Sequence, residues 1–447
     1  MDAVRAKFQP LSTTDSAAVP FPLKVGWASG ALGYVTMMIL VNVMYLYFMV
    51  GTLGVRADVA GALLAGIRLI DMFFDPLMGI VSDSTRTRWG ARRPWMFSAA
   101  FISGLSVFAM FNVPNMGDLM VAYIAATLVL FYIGYTMFVV PFLAMPADMT
   151  DSDAERTSLM SYRTVFTGIA GLAASALAPY LLQVFGNDRA GFGDMAIVMA
   201  GLVTAGMLYS ALSTAKARAG AVTQARQGLG NLAVLKQRNL VILLLVKLAA
   251  IFGITCHAAV GLFFHAYITE RGPVGVAWLG TINHVATIVT VPAWRWALLH
   301  YSKRTVLMVA LLVYGLACLS WMASGPTETD LIFNLRAIVM GSGFCGIVLV
   351  TTAMLPETIQ EDFDQHGASR AGTMAGLFAG VEKTSFALSP LVTGLLLSSA
   401  GFASFTGPKV EQSAAALDAV RVAAGVLPAA AVFVALGIAV LYRRRSA

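Results

Sequence analysis

Residues 66–95 read GIRLIDMFFDPLMGIVSDSTRTRWGARRPW. The stretch begins as an apolar membrane-type segment, yet it carries Arg68, Asp71 and Asp75 before an arginine-rich exit at Arg86, Arg88, Arg92 and Arg93. On a helix, residues three and four apart stack on one face at successive turns, so these three charges form one polar stripe. A charge at mid-bilayer costs roughly 2.5 kcal/mol or more, so such groups face a cavity, pair with each other, or hold an ion. Two carboxylates one turn apart repel, and a bound cation relieves that repulsion while meeting the oxygen ligands a hard ion needs. Asp71 and Asp75 are therefore the candidate cation site. The competing reading is static: Arg68 neutralises Asp71, and Asp75, preceding Pro76, meets solvent at the membrane interface. That reading leaves one acid uncompensated, and a buried ion pair is a weak stabiliser.

Working outward, the 447 residues are 58% hydrophobic and only 12% charged, which excludes an ordinary soluble protein. Twelve spans of about 20 residues take about 240 residues, and longer tilted ones about 300, leaving little for a catalytic domain outside the membrane. Apolar runs fall near 23–50, 60–81, 94–111, 119–145, 162–184 and 195–212, then near 240–268, 274–299, 306–323, 331–355, 374–400 and 420–441. This predicts an all-α membrane protein of twelve transmembrane helices in two six-helix halves, residues 1–213 and 239–447. A basic linker, 214–238, joins them and has room for a short surface helix near 229–235.

The net charge of +7 reflects topology rather than a nucleic-acid partner. With both termini cytoplasmic, roughly 19 Lys and Arg fall on inside segments, about 5 outside and about 6 within spans, the bias of the positive-inside rule. The inside clusters are Arg86, Arg88, Arg92 and Arg93; Lys216, Arg218, Arg226, Lys236 and Arg238; Lys303 and Arg304; and Arg443, Arg444 and Arg445. The N-terminus has no signal-peptide core, so the first span is expected to stay in a multi-pass cell-membrane protein. Cys256, Cys318 and Cys345 lie in apolar runs without metal-ligand spacing.

The halves resemble each other weakly. PADMTDSDAERTSLMSYR (146–163) follows the fourth span and PETIQEDFDQHGASRAGT (356–373) the tenth, each passing from Pro through acids to an Arg before the next helix. Lys247, His257, His265, His284, Arg336, Glu382 and Lys383 also fall within spans. Lys247 is near enough to one end of its span to snorkel, and the histidines read as hydrogen-bonded packing residues. Adjacent residues point about 100° apart on a helix, so one of Glu382 and Lys383 faces the pathway, and Lys383 is the choice. At the inner end of spans two and three, Asp83 beside Arg86, Arg88 and Arg92 has the makings of a conformational latch.

IDMFFDPLMGIVSDSTRTRWGARRPW, YTMFVVPFLAMPADMTDSDAERTSLMSYR and AGLFAGVEKTSFALSP together resemble the glycoside-pentoside-hexuronide:cation symporters, the melibiose-carrier relatives of the major facilitator superfamily. The resemblance implies the major facilitator fold and cation-binding roles for Asp71, Asp75 and Thr136. It also implies a substrate pathway through Arg163 and Lys383, near Arg68. Departures are informative: Phe74 stands where melibiose-type members have an asparagine, which adds weight to H+ over Na+. Val139 replaces the family's fourth-span acid, Leu143 the nearby aromatic, and an uncharged residue near Thr36 or Met37 the first-span acid, so galactoside specificity is not expected. No metal is suggested beyond Na+ at Asp71 and Asp75, and no cofactor beyond the coupling cation, H+ or Na+.

The expected function is secondary active transport: cation-coupled symport of a small solute, a sugar or glycoside, by alternating access. The alternative on the same fold is a proton-coupled exporter or carrier of amphiphilic or anionic compounds. An enzyme is not expected, since His257 and His265 lack a shared metal-binding spacing and no ATP motif appears. The expected partners are a small-molecule substrate and the lipid bilayer, with the protein monomeric.

Overall fold

The computed structural model describes residues 19–150, 152–216, 232–366, 370–404 and 410–442. Arg218 and Arg226 of the expected linker, and the terminal cluster Arg443, Arg444 and Arg445, lie outside the described residues. Twelve long helical segments occur within them: α1 (Phe21–Gly51), α2 (Ala57–Ser84), α3 (Arg93–Phe111), α4 (Met120–Met149), α5 (Asp153–Phe185), α6 (Arg189–Ser213), α7 (Arg238–Tyr267), α8 (Gly272–His300), α9 (Lys303–Ser320), α10 (Asp330–His366), α11 (Ala371–Ser399) and α12 (Ala414–Ala439). No strand occurs among the described residues. Helices close all their backbone hydrogen bonds internally, which is what a hydrocarbon solvent demands.

Ten of the twelve are long and apolar enough to cross a membrane. The two that fall short are α2 and α11, the helices carrying Arg68, Asp71 and Asp75 and carrying Glu382 and Lys383. These two pack against each other.

Pairings in the first six helices recur in the second six. Contacts α1–α5, α1–α6, α2–α4, α3–α4 and α3–α6 have counterparts in α7–α11, α7–α12, α8–α10, α9–α10 and α9–α12. Of the contacts between the two sets, α2–α11 and α5–α8 exchange with each other under the same shift of six, and α1–α7 maps onto itself. The chain is thus a parallel repeat about a central axis, which gives structural substance to the faint likeness of 146–163 and 356–373.

Alternation of helix direction puts the start of α1 and the end of α12 at one end of the bundle. The sets meet toward the opposite, far end. Of α1, the part from Leu40 onward packs on α7, with Tyr47 edge-on to Phe263 at 5.0 Å. At the same end the backbones of α2 and α11 touch: a Cβ on Gly61 would lie 2.4 Å from the Pro390 carbonyl oxygen, and one on Gly394 2.2 Å from that of Ala57. Only glycine allows this approach.

Several helices outrun their apolar segments, so most of 146–163 is helical and not a connector. Helix α4 continues to Met149, and α5 begins at Asp153, where Ser152 caps it by accepting from the Glu155 amide at 3.4 Å. Likewise α10 runs 37 residues to His366, about 55 Å, well beyond a hydrocarbon core of about 30 Å. A span needs apolar residues only where lipid surrounds it, so hydropathy marks the slab and not the helix. The linker contributes a 3-10 turn at Leu232–Lys236, overlapping the short helix expected near 229–235.

Candidate functional site

The stripe on α2 folds as its spacing requires, but its partners come from elsewhere. Lys383 of α11 sits between the two acids, its Nζ donating to Asp71 Oδ2 at 2.9 Å and to Asp75 Oδ2 at 2.5 Å. From α4, Thr136 Oγ1 donates to Asp71 Oδ1 at 2.7 Å and lies 3.3 Å from Asp75 Oδ1. A hydroxyl has one proton, so the shorter contact is the bond and the longer one an alternative. Two carboxylates facing one ammonium leave the cluster a net charge of −1 when all three are ionised.

Burial grades along the stripe. The Asp71 side chain is 3% exposed, Lys383 26% and Asp75 36%. Asp75 is one turn closer than Asp71 to the end bearing the termini. The cluster is therefore closed on the far side, where α2 and α11 touch, and accessible on the other. Four oxygens from two acids and a hydroxyl can hold a proton or a small hard cation, with the Lys383 ammonium as the competing positive charge.

Arg68 does not neutralise Asp71. Its guanidinium, 5% exposed, donates to Asn42 Oδ1 at 2.8 Å, to the Phe386 carbonyl at 3.2 Å and toward Met38 Sδ at 3.2 Å. It also lies 4.8 Å from the Phe386 ring centre and 5.6 Å from that of Tyr132. Asn42 is within a π-helical turn of α1, Leu40–Tyr45, a wide turn that often marks functional positions. The static pairing of Arg68 with Asp71 is thereby replaced: the two acids are met by α11 and α4, and the guanidinium by α1 and α11. Sequence reading missed Asn42, Met38 and Phe386; a polar residue within the apolar first span was the one available signal.

Glu382 and Lys383 diverge as adjacent helical residues must. Glu382 pairs with Lys247 of α7 at 2.7 Å, and Lys247 also donates to the Phe378 carbonyl at 3.1 Å. Lys247 is buried and does not snorkel to the end of its span. Each intramembrane histidine is hydrogen-bonded: His257 to the Ala424 carbonyl, His265 to Thr269 and His284 to the Gly280 carbonyl. Arg163 is part-buried on α5 and, among the described residues, makes no hydrogen bond or ion pair; its Nε is enclosed without a partner. It is not brought to the Asp71–Asp75 cluster by any contact.

At the end bearing the termini, Arg92 pairs with Asp83 at 3.4 Å and, more closely, with Asp148 near the end of α4. Asp83 is half-exposed, and Arg86 and Arg88 are exposed without an ion pair among the described residues. The expected latch thus reduces to Asp83 and Arg92 and gains Asp148, because Arg92 stands just before the start of α3, beside the α4 extension. The repeat reproduces the device: Lys303 at the start of α9 pairs with Glu357 on the α10 extension at 2.6 Å. Of the positions that depart from the melibiose-type pattern, Thr36 and Met37 are buried and Leu143 is exposed.

Comparison with known proteins places these features in context. The family model described as MFS/sugar transport protein matches residues 26–444. The symporter YnaJ of Bacillus subtilis (strain 168), itself uncharacterized, is 27% identical over 417 residues, covering 91% of this chain and 88% of its own. The isoprimeverose transporter of Lactiplantibacillus pentosus is 25% identical over 427 residues, covering 92% and 86%. Among solved structures, the nucleoside transporter NupG superposes with a TM-score of 0.68 at 15% identity, covering 95% of this chain and all of NupG, a likeness of fold alone.

Proposed function

The chain belongs to the MFS/sugar transport protein family, a multi-pass membrane transporter and not an enzyme, and from that premise we propose that it couples inward movement of a sugar or glycoside to a cation, H+ or Na+. The observation that carries this reading is the Lys383 ammonium seated between Asp71 and Asp75. A lysine in that place holds the cluster together when no ion is bound, yet leaves one negative charge. One monovalent cation completes neutrality, so the stoichiometry is one cation per cycle. The site residues are Asp71, Asp75 and Thr136 for the cation, with Arg68, Arg163 and Lys383 along the substrate pathway. The likeness to an isoprimeverose transporter supports a sugar or glycoside as solute.

Coupling follows from desolvation. Exchange of access requires the cluster to become occluded, and an uncompensated charge resists entering a low-dielectric interior. Cation and substrate together remove that charge and fill the pathway, so a partly loaded carrier crosses poorly. The two six-helix units, divided at 213 and 239, rock about the cluster. The Arg92–Asp148 and Lys303–Glu357 pairs tie α3 to α4 and α9 to α10, so each unit moves as a body. Both termini lie in the cytoplasm of a cell-membrane monomer, as the basic clusters support, and the conformer described is then the inward-facing one.

The test is counterflow and uphill uptake in proteoliposomes across a panel of sugars and glycosides, under separate Na+ and pH gradients. Asp75→Asn should abolish uphill accumulation while leaving exchange of labelled for unlabelled solute. Unchanged uphill uptake by that variant overturns the coupling role. Efflux driven by an inward proton gradient would point instead to the exporter alternative.

A further inference from the structure

At the end bearing the termini, the second six-helix unit holds two adjoining recesses, neither of which shares a lining residue with the Asp71–Asp75–Lys383 cluster. One, of about 440 Å³, is polar, lined by Ser302, Lys303 and Arg304 at the start of α9 and by Glu357 and Glu361 on the α10 extension. The other, of about 540 Å³, is walled by Met308, Val309 and Leu312 of α9 and Leu436 of α12. Ser302 and Arg304 line both, so the two share an edge.

Val309 and Leu312 are 47% and 43% exposed on a helix long and apolar enough to cross a membrane, so the apolar recess opens on lipid. An apolar cavity of ~150 Å³ already accepts benzene, so this one has room for a length of acyl chain. A chain fills it whatever headgroup follows. The choice of headgroup therefore falls to the polar recess.

The charges there are not answered by one simple ion. Lys303 is spent on Glu357 at 2.6 Å and on the Ala353 carbonyl at 2.8 Å. Arg304 is part-buried, and its side chain makes no hydrogen bond or ion pair among the described residues. Glu361, also part-buried, accepts from the Asn239 side-chain amide at 2.9 Å and has no cationic partner among the described residues. A guanidinium and a carboxylate thus line one recess without pairing with each other. Beside Arg304, the Ser302 and Thr305 hydroxyls bond each other at 2.8 Å, which uses one of their two protons and leaves one to donate. A basic pocket alone selects an anionic headgroup. A carboxylate in the same pocket asks in addition for a cation with hydrogens to give.

We propose that the two recesses form a site for one molecule of phosphatidylethanolamine. One chain lies against Met308, Leu312 and Leu436, the phosphate meets Arg304 and the spare hydroxyl, and the primary ammonium donates to Glu361. The lipid bridges α9 and α10 beside the Lys303–Glu357 pair and ties the same joint from the membrane side. Phosphatidylcholine carries the same charges, but its quaternary nitrogen has no N–H; phosphatidylglycerol carries the phosphate alone.

The test is native mass spectrometry of the purified full-length protein, released from neutral detergent after incubation with equal amounts of the three lipids bearing identical chains. Phosphatidylethanolamine should be retained about tenfold over either competitor, the ratio that one hydrogen bond between charged groups supplies. Glu361→Gln, which keeps an acceptor for Asn239, should bring it down to the level of phosphatidylcholine. Arg304→Gln should lower retention of all three. Each variant examines one end of the headgroup, so either suffices where the other does not fold. Glycerophosphoethanolamine, the headgroup without chains, should fail to displace the lipid even in large excess. Equal retention of the three lipids, preference for phosphatidylglycerol, a preference for phosphatidylethanolamine that survives Glu361→Gln, retention unchanged by Arg304→Gln, or displacement by the chainless headgroup overturns the proposal.

Discussion

Removing the Lys383 ammonium should tighten cation binding while stopping coupled transport. In Lys383→Ala the cluster passes from a net charge of −1 to −2, and an entering cation no longer meets the ammonium that lies 2.9 Å and 2.5 Å from the same carboxylates. A cation held by those oxygens would sit about 4 Å from Nζ, where two unit charges repel by about 1 kcal/mol in bulk water and about 4 kcal/mol at an effective dielectric of 20. Lys383 and Asp75 are 26% and 36% exposed, so the screened value falls between these limits. That corresponds to a gain in cation affinity of about ten- to a hundredfold. The assay is thermal stability of purified protein against Na+ concentration and, separately, pH, since a ligand that binds only the folded state stabilises it by RT ln(1 + [L]/Kd). Uphill uptake should be lost in the same variant, because the empty cluster then carries two uncompensated charges. Weaker cation binding in Lys383→Ala would refute the reasoning, since it would make the lysine a supporting ligand and not an occupant of the site.

Gly394→Val places a Cβ 2.2 Å from the Ala57 carbonyl, overpacking worth about 1–3 kcal/mol against far-end closure. It should raise the alkylation rate of Asn187→Cys, a far-end position bonded to Tyr47, against a low background because Cys256, Cys318 and Cys345 are all buried; an unaltered rate counts against closure there. Asp148→Asn should lower thermal stability by about 1.5–3 kcal/mol, as loss of a hydrogen bond between charged groups does, whereas Arg86→Gln, exposed and unpaired, should stay within about 0.5 kcal/mol. Glu382→Gln removes the counter-charge of Lys247, which keeps the Phe378 carbonyl and ring, and should destabilise the protein by about 1–3 kcal/mol without altering cation affinity. A change in cation affinity would tie Glu382 to the coupling cluster.

Much of the fold was legible because the bilayer imposes one requirement on every span. The run read at 94–111 is the helix Arg93–Phe111, and that at 306–323 covers most of Lys303–Ser320. Where sequence reading stopped short, at 146–163, helix continued outside the slab, and Ser152 with Glu155 three residues on was the available capping signal. The acids of the site were legible from their spacing on one helix, since that is local. Their neutralisation was not: Lys383 reaches Asp71 across 312 residues of chain, and Arg68 is taken by Asn42 and a backbone carbonyl. Which charge meets which is decided by how helices pack, and one-dimensional spacing carries no record of it. Lys247 shows the same limit, since a snorkelling lysine and a paired one occupy identical sequence surroundings.

That 312-residue separation has a consequence for how the protein is made. Helix α2 leaves the ribosome carrying two acids and an arginine in its apolar stretch, and at about 5–20 residues per second the lysine that answers those acids is synthesised about 15–60 s later. Throughout that interval α2 has only Thr136 and its neighbours to shelter it from lipid, so its residence in the bilayer is conditional on the nascent chain behind it. A ribosome that stalls before α11 therefore releases a chain with an exposed anionic helix, a ready mark for the machinery that clears unfinished membrane proteins.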